Sequence, residues 1–297
     1  MRCLLFLKYS LPLPYLIYIY SHKLSTMNKE TITLKNLSIG YTEKRKNPKY
    51  IARNIQASLW GGELTCLLGS NGAGKSTLLR TLSAFLSPLD GEILVFGKSL
   101  NKLTENERAR LIGVVLTDRT DLRDMSVREL VSLGRSPYTN FWGSLSAEDY
   151  SIIESSLNMV GMASMAERMV NTLSDGERQK AMIAKALAQE TPIIFLDEPT
   201  AFLDFPSKVE MMLLLRRLAR QMNKTIFLST HDLELALQIA DKLWLMKRVR
   251  GENISAEDSL IIGTPKDLAD NGDLSHFFDG KGCSFDSQTM RFRIETE

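Results

Sequence analysis

The stretch Gly69-Ser70-Asn71-Gly72-Ala73-Gly74-Lys75-Ser76-Thr77 constrains this chain most, because it fits G-x-x-x-x-G-K-[ST] directly after an apolar run. Leu64-Thr65-Cys66-Leu67-Leu68 reads as a short buried strand, and Ser76 to Phe85 as a helix that stops ahead of Pro88. A strand, a glycine-rich turn and a helix start form the context that gives the pattern its chemistry. The glycines let backbone N–H groups curl round a phosphate chain, and the helix start adds its partial positive charge. Lys75 then reaches the terminal phosphates, and Ser76 is placed to put its hydroxyl on Mg²⁺. The motif implies nucleotide binding.

A chain of 297 residues, 44% of them hydrophobic, can bury the core of one large or two modest domains. A net charge of +2 gives no general reason to expect nucleic acid or an acidic membrane surface as a partner. The basic cluster Lys44-Arg45-Lys46 with Lys49 flanks Pro48 and reads as a solvated loop. Cys3, Cys66 and Cys283 stand apart, without metal-ligand or redox spacing, which suits a reducing compartment. Near the N-terminus, Lys8, Pro12 and Pro14 interrupt the apolar residues, so none of these runs reaches the ~18 needed to span a membrane. No small-residue cleavage site follows, so the segment is a poor signal peptide. The expectation is that Met27 is the functional start, with residues 1–26 an upstream or disordered extension. A membrane role would then need a separate partner.

Thr31 to Tyr41, Ile51 to Leu59 and Gly91 to Gly97 read as strands. The continuous apolar runs Leu111 to Leu116, Ile193 to Leu196 and Thr225 to Leu228 suit parallel strands buried on both faces. Between the first two of these runs the sequence is helical. Ser126-x-x-Glu129 opens a helix expected to end by Gly134. Ser146-Ala147-Glu148-Asp149 opens another, with Ile153, Leu157 and Val160 on one face and Gly161 after its end. Beyond Arg250 come a strand at Ser259 to Ile262, a short helix after Pro265, and the alternation Met290, Phe292, Ile294. The pattern is α/β, a parallel-sheet core with an all-helical insertion.

Ile193-Ile194-Phe195-Leu196 ends in Asp197-Glu198, so a buried strand delivers two carboxylates at its tip. Adjacent strand residues point to opposite sides and have different tasks. Asp197 would hold Mg²⁺, and Glu198 would orient and deprotonate an attacking water. Leu173-Ser174-Asp175-Gly176-Glu177-Arg178-Gln179 precedes a long helix carrying Met182, Ile183, Ala186 and Leu187. Ser174-x-x-Glu177 is a capping box, and the same hydroxyl and free N–H groups also make an anion site; both readings hold together.

Taken in order, residues from about 31 to 248 resemble the ATPase domain of an ATP-binding cassette (ABC) transporter. The matching pieces are the loop at Gly69, Ser174-x-Gly176 as the signature, and Asp197-Glu198. Pro199-Thr200-Ala201-Phe202-Leu203-Asp204 then matches the D-loop, and His231 in Ser229-Thr230-His231-Asp232 the switch histidine. The resemblance implies a P-loop NTPase fold of ABC type: a parallel-sheet core, an antiparallel β subdomain and an inserted helical subdomain. It also implies ATP and Mg²⁺ as cofactors, with Glu198 and His231 catalytic and Ser76 and Asp197 on the metal. Tyr41 falls where the family stacks an aromatic on adenine. Two copies would sandwich ATP between the Gly69–Thr77 loop of one and Ser174 and Gly176 of the other.

Leu133-Gly134-Arg135-Ser136-Pro137-Tyr138 and Gly143-Ser144-Leu145-Ser146-Ala147-Glu148-Asp149 are similar to ATPase subunits of importers for ferric siderophores, haem or cobalamin. Partners implied are integral-membrane permease subunits at the cytoplasmic face, an extracytoplasmic substrate-binding protein at one remove, and no nucleic acid. The implied division is residues 1–26 as extension, 27–250 as ATPase domain with its helical insertion at about 118–180, and 251–297 as a tail. The chain departs from the family pattern at Asp175 and Glu177 in the signature, and at Thr117, where the family carries a glutamine that Thr117 is too short to replace. Asp118 is the next candidate there. A soluble ABC protein acting on ribosomes or DNA, and a non-hydrolysing regulatory cassette, are the alternative readings.

Overall fold

The computed structural model describes residues 29–42, 47–116, 124–140, 142–247, 260–278 and 283–294. The expectations for residues 1–26, Lys44-Arg45-Lys46, Thr117 and Asp118 lie outside the described residues.

β1 (Glu30–Tyr41) and β2 (Lys49–Trp60) are an antiparallel pair. Lys49 therefore opens a strand, paired with Tyr41, rather than closing a loop. β3 (Leu64–Gly69) leads into helix α1 (Lys75–Leu82). β4 (Asp90–Val95) and β5 (Lys98–Ser99) then complete a four-stranded antiparallel sheet in the order β2-β1-β4-β5. β4 stops two residues short of the expected Gly97, because Phe96 and Gly97 both have positive φ and make the turn to β5.

Helix α2 (Glu105–Leu111) feeds β6 (Ile112–Val115). Helices α3 (Val127–Ser132), α4 (Ala147–Met159) and α5 (Asp175–Ala188) follow before β7 (Ile193–Leu196). All three start in capping boxes: Ser126 with Glu129, Ser146 with Asp149, and Ser174 with Glu177. Helix α3 ends at Ser132, within the expected limit of Gly134, and the chain continues as a 3₁₀ turn over Leu133–Tyr138. The missing side chain of Gly134 serves packing. A Cβ there would lie 2.3 Å from the backbone oxygen of Lys185 on α5, so only glycine lets the two helices approach this closely.

Helix α6 (Phe205–Met222), β8 (Thr225–Ser229), helix α7 (Leu233–Ile239), β9 (Lys242–Met246) and β10 (Leu260–Gly263) finish the main sheet. Its order is β10-β9-β3-β8-β7-β6, all parallel except β10. Helices α8 (Pro265–Asp270) and α9 (Asp273–Phe278) precede the hairpin β11 (Cys283–Asp286) and β12 (Arg291–Ile294).

The period-2 alternation of strands divides the core between the two sheet faces. Leu64, Cys66, Leu68, Ile194, Leu196, Ile226, Leu228, Leu243 and Leu245 join the cluster under the helices. Leu67, Ile193, Phe195, Phe227, Trp244 and Met246 pack with β1, β2 and α1 on the other side. There Phe195, Phe227 and Trp244 stack edge to face at centroid separations of 6.0 and 4.9 Å. Each such fully buried ring is worth about 2–3 kcal/mol of apolar burial, which holds the neighbouring strands in register. Burial also pushes the Cys66 thiol well above its ordinary range, so it packs as an inert hydrophobe.

Lys224, just before β8, is buried and donates to the Thr191 carbonyl at 2.6 Å. Desolvation pushes its ammonium down to about 8, with Glu190 pulling weakly the other way. Unfolded, the same lysine titrates near its usual value of about 10.4. Between those two values the unfolded state binds more protons, so this group makes stability rise with pH from about 8 to 10.4. The full increment is on the order of 3 kcal/mol. Urea titrations of the parent and of Lys224→Met across that range should show the mutant lacking this rising component.

Candidate functional site

The parallel register brings the strand tips together. Leu67 of β3 lies opposite Ser229 of β8, and Leu196 of β7 opposite Leu228. Gly69, Asp197 and Thr230 thus leave the sheet at one edge, the carboxyl end, where open α/β sheets hold their ligands.

After β3 the loop turns tightly, with the Ala73 amide donating to the Ser70 carbonyl at 3.1 Å. Ser70, Asn71 and Gly72 are exposed, whereas Ala73 is buried. Gly74 caps α1 at φ +110°, and a Cβ there would meet Ile51 at 2.3 Å. Only glycine fits this junction between loop and helix. Lys75 is 6% exposed and curls back over the loop, donating to the carbonyls of Gly69 at 2.9 Å and Ser70 at 3.4 Å. Burial lowers its hold on the proton, while Glu198 and then Asp197 act against that loss. The ammonium and the two carboxylates therefore share one electrostatic environment. Ser76 leaves its hydroxyl exposed on the first turn of α1. Thr77 is buried, and its Oγ1 lies 2.9 Å from the Tyr41 hydroxyl. That bond holds the half-exposed Tyr41 ring at the end of β1, beside the loop.

At the tip of β7, Ser229 Oγ donates to Asp197 Oδ1 at 2.6 Å and accepts from the Glu198 amide at 2.9 Å. One buried hydroxyl thus sets both the Asp197 carboxylate and the Glu198 backbone. Glu198 has φ +48°, in the left-handed region a non-glycine residue rarely occupies, and the Ser229 bond helps hold that strained turn. Its carboxylate Oε1 meets His231 Nε2 at 2.7 Å. The residue after His231 is anchored as well. Asp232 accepts from Thr200 Oγ1 at 2.6 Å and from Lys208 Nζ at 2.7 Å. The turn after Glu198, helix α6 and the His231 loop are therefore tied at one carboxylate.

The structure joins Tyr41, the Gly69–Thr77 loop, Asp197, Glu198 and His231 at one edge. Among the described contacts, none connects Ser174 or Gly176 to that loop. Both stand at the start of α5, where Ser174 N and Oγ donate to one oxygen of Glu177 at 2.8 and 3.0 Å. Serine and glutamate hold each other, and these bonds keep the Glu177 carboxyl below its usual range, against slight desolvation. Arg168 approaches the other oxygen of Glu177 at 3.3 Å. Sequence reasoning gives Ser229, Thr200 and Asp232 no separate task and passes over Lys208. The one available signal is a hydroxyl closing the buried apolar run Thr225-Ile226-Phe227-Leu228-Ser229.

The oxygen donors here suit Mg²⁺, which takes one or two carboxylates together with substrate phosphates. Asp197 offers a carboxylate already oriented by Ser229, and Ser76 offers an exposed hydroxyl. Among the described residues, no group of three or more His, Cys, Asp or Glu could hold a metal unaided. A metal arriving with phosphate oxygens fits this donor set.

The ABC transporter family model matches residues 52–201. An ABC transporter ATP-binding protein of Methanocaldococcus jannaschii, itself uncharacterised, is 37% identical over 261 residues, 88% of this chain and 86% of its own. The iron(3+)-hydroxamate import ATP-binding protein FhuC of Bacillus subtilis is 34% identical over 79% of this chain and 85% of its own. A dimeric ATP-binding cassette in a post-hydrolysis state, bound to ADP and Pi, superposes with a TM-score of 0.63. That structure is 27% identical, covering 75% of this chain and all but 1% of its own. On the matched motifs, the shared architecture and these relatives, the chain belongs to the ABC transporter family as an ATPase.

Proposed function

We propose that this ATPase is the energy-supplying subunit of an importer for an iron complex or cobalamin, working as a homodimer on a separate membrane permease. The observation that carries the catalytic half is the Glu198–His231 pair at 2.7 Å, on the edge where Lys75 and Asp197 also stand. In this reading the Gly69–Thr77 amides and Lys75 hold the phosphates, and Tyr41 stacks on the base. Ser76 and Asp197 hold Mg²⁺, which when bound neutralises charge building on the phosphate oxygens. Glu198 takes a proton from the attacking water as its oxygen bonds to the terminal phosphorus and ADP leaves. His231 fixes the Glu198 carboxylate in the orientation this requires. Ser174 and Gly176 of a second copy close the site.

The cargo class rests on two supports. One is the likeness of Leu133–Tyr138 and Gly143–Asp149 to iron-complex importers; the other is the hydroxamate-import relative. Among the described residues no helix is long and apolar enough to cross a membrane, so in this reading the chain sits at the cytoplasmic face through its permease. Residues 27–250 are the ATPase unit, with residues 118–180 as the part that meets the permease and 251–297 as a C-terminal tail.

Two substitutions test the chemistry. Glu198→Gln keeps the shape and removes the base, so steady-state ATP turnover should fall by about 10²–10⁴-fold. The same protein should form an ATP-dependent dimer in analytical ultracentrifugation. Turnover equal to the parent, or a monomer at saturating ATP, would overturn the proposal. Ser229→Ala leaves the Asp197 carboxylate and the Glu198 amide without their shared partner. It should cost about 1–3 kcal/mol in urea unfolding and lower kcat more than it weakens nucleotide binding.

A further inference from the structure

Among the described residues of the helical region Arg135 is the most buried cation, at 4% exposed, and it makes three charged or polar bonds in different directions. Its Nε donates to Asp149 Oδ1 of α4 at 2.8 Å. Its Nη1 donates both to the carbonyl of Ala188, the last residue of α5, at 2.8 Å and to Glu190 Oε2 at 2.7 Å. Tyr138 lies against the guanidinium, ring centroid 4.1 Å away, and donates its own hydroxyl to the Gln189 carbonyl at 3.1 Å. Asp149 also closes the α4 capping box through its other oxygen. One planar cation therefore fastens α4, the 3₁₀ turn after α3 and the C-terminal end of α5 to the linker that runs into β7.

Such a cluster is a costly way to gain stability. Buried ion networks lose much of their attraction to desolvation, and apolar residues of similar volume often hold a core as well or better. What a fixed guanidinium fork supplies is geometry. Its place in the fold says which geometry. Helix α5 spans 14 residues, about 21 Å at 1.5 Å per residue. Arg135 grips one end, and Ser174 caps the other. Over that arm a tilt of roughly 3° at the gripped end displaces Ser174 by about 1 Å, an error large enough to cost about a hundredfold in a positioned reaction.

We propose that Arg135 is a positioning residue for ATP-driven pairing: it fixes the pivot end of α5 so that Ser174, at the far end, meets the phosphate held by the second copy. This inference rests on the sandwich dimer proposed above. It makes Gly134-Arg135-Ser136-Pro137-Tyr138 a mechanical joint between the helical region and the strand that carries Asp197 and Glu198.

The test measures the ATP concentration for half-maximal dimerisation of the full chain in the Glu198→Gln background, by light scattering. Arg135→Lys keeps the charge but not the fork, and should raise that concentration about tenfold. Tyr138→Phe removes only the hydroxyl bond to Gln189 and should raise it about two- to threefold. Affinity for a fluorescent ATP analogue, read at protein concentrations too low for pairing, should stay within twofold in both. Leu157→Ala, a buried apolar truncation in α4, controls for general destabilisation. It should lower the melting temperature without moving the dimerisation midpoint. Unshifted midpoints in both hub variants would overturn the inference, as would an equal shift in Leu157→Ala. A parent that stays monomeric overturns the dimer and this inference together. A parent that pairs beside unshifted variants overturns this inference alone.

Discussion

The site depends on the parallel register of β3, β8 and β7. Each strand is only four to six residues long, so none could stand alone; the aromatic stack joins β7 to β8 through Phe195 and Phe227 and reaches past β3 to Trp244 on β9. Because the strands run the same way, every tip emerges at one edge, and the chain has to spend helices on return crossings. The loop after Gly69, the acids after Leu196 and the histidine after Thr230 become neighbours only through this register. Sliding β8 by one residue would send Ser229 to the opposite face and leave Asp197 and the Glu198 amide without their shared hydroxyl.

That dependence explains what could be read from the letters alone. The phosphate loop is local: nine consecutive residues carry their own turn, cap and cation, so Gly74 and Lys75 were legible before any fold was known. The capping boxes at Ser126, Ser146 and Ser174 are local too, each a side chain answering an amide three residues on. Ser229, by contrast, acts on residues more than thirty positions away, and Lys208 reaches Asp232 across twenty-four. Nothing in a short window marks such bonds. β9 escaped for a related reason. Leu243-Trp244-Leu245-Met246 is a short apolar run with no glycine or proline beside it, and periodicity cannot separate a short buried strand from a buried helix turn. Gly134 was legible only in part. As a glycine beyond a helical run it marks the stop, since α3 ends at Ser132, while its second task, admitting the Lys185 carbonyl, is set by a helix fifty residues further on.

Strain and rigidity are unevenly distributed around the edge. Glu198 occupies a left-handed backbone conformation, and Phe202 four residues later does the same. The hydrogen bonds within it, from the Glu198 amide to Ser229 Oγ and from Thr200 Oγ1 to Asp232, are those that hold such a turn in place. The carboxylate that touches His231 is thus presented by a backbone that could not keep its shape without its neighbours. Asp197 and Glu198 are held together for that reason, although their carboxylates bond to different partners, Ser229 and His231.

The two acidic letters of the signature, Asp175 and Glu177, look out of place next to a phosphate, and helix energetics gives them a rationale. The first turn of α5 carries amides with no intrahelical partner and a partial positive charge, and two carboxylates there stabilise the helix start. Glu177 goes further and accepts both the amide and the hydroxyl of Ser174. In the proposed dimer those are the groups a phosphate would need, so the incoming ligand and the carboxylate compete for the same donors. Arg168, already 3.3 Å from the other oxygen of Glu177, supplies a charge toward which that carboxylate would turn if a phosphate took its place. In the proposed dimer such an exchange would replace one anion at the helix start with another. The helix would then stay capped throughout, and closure would not carry the cost of uncovering its amides.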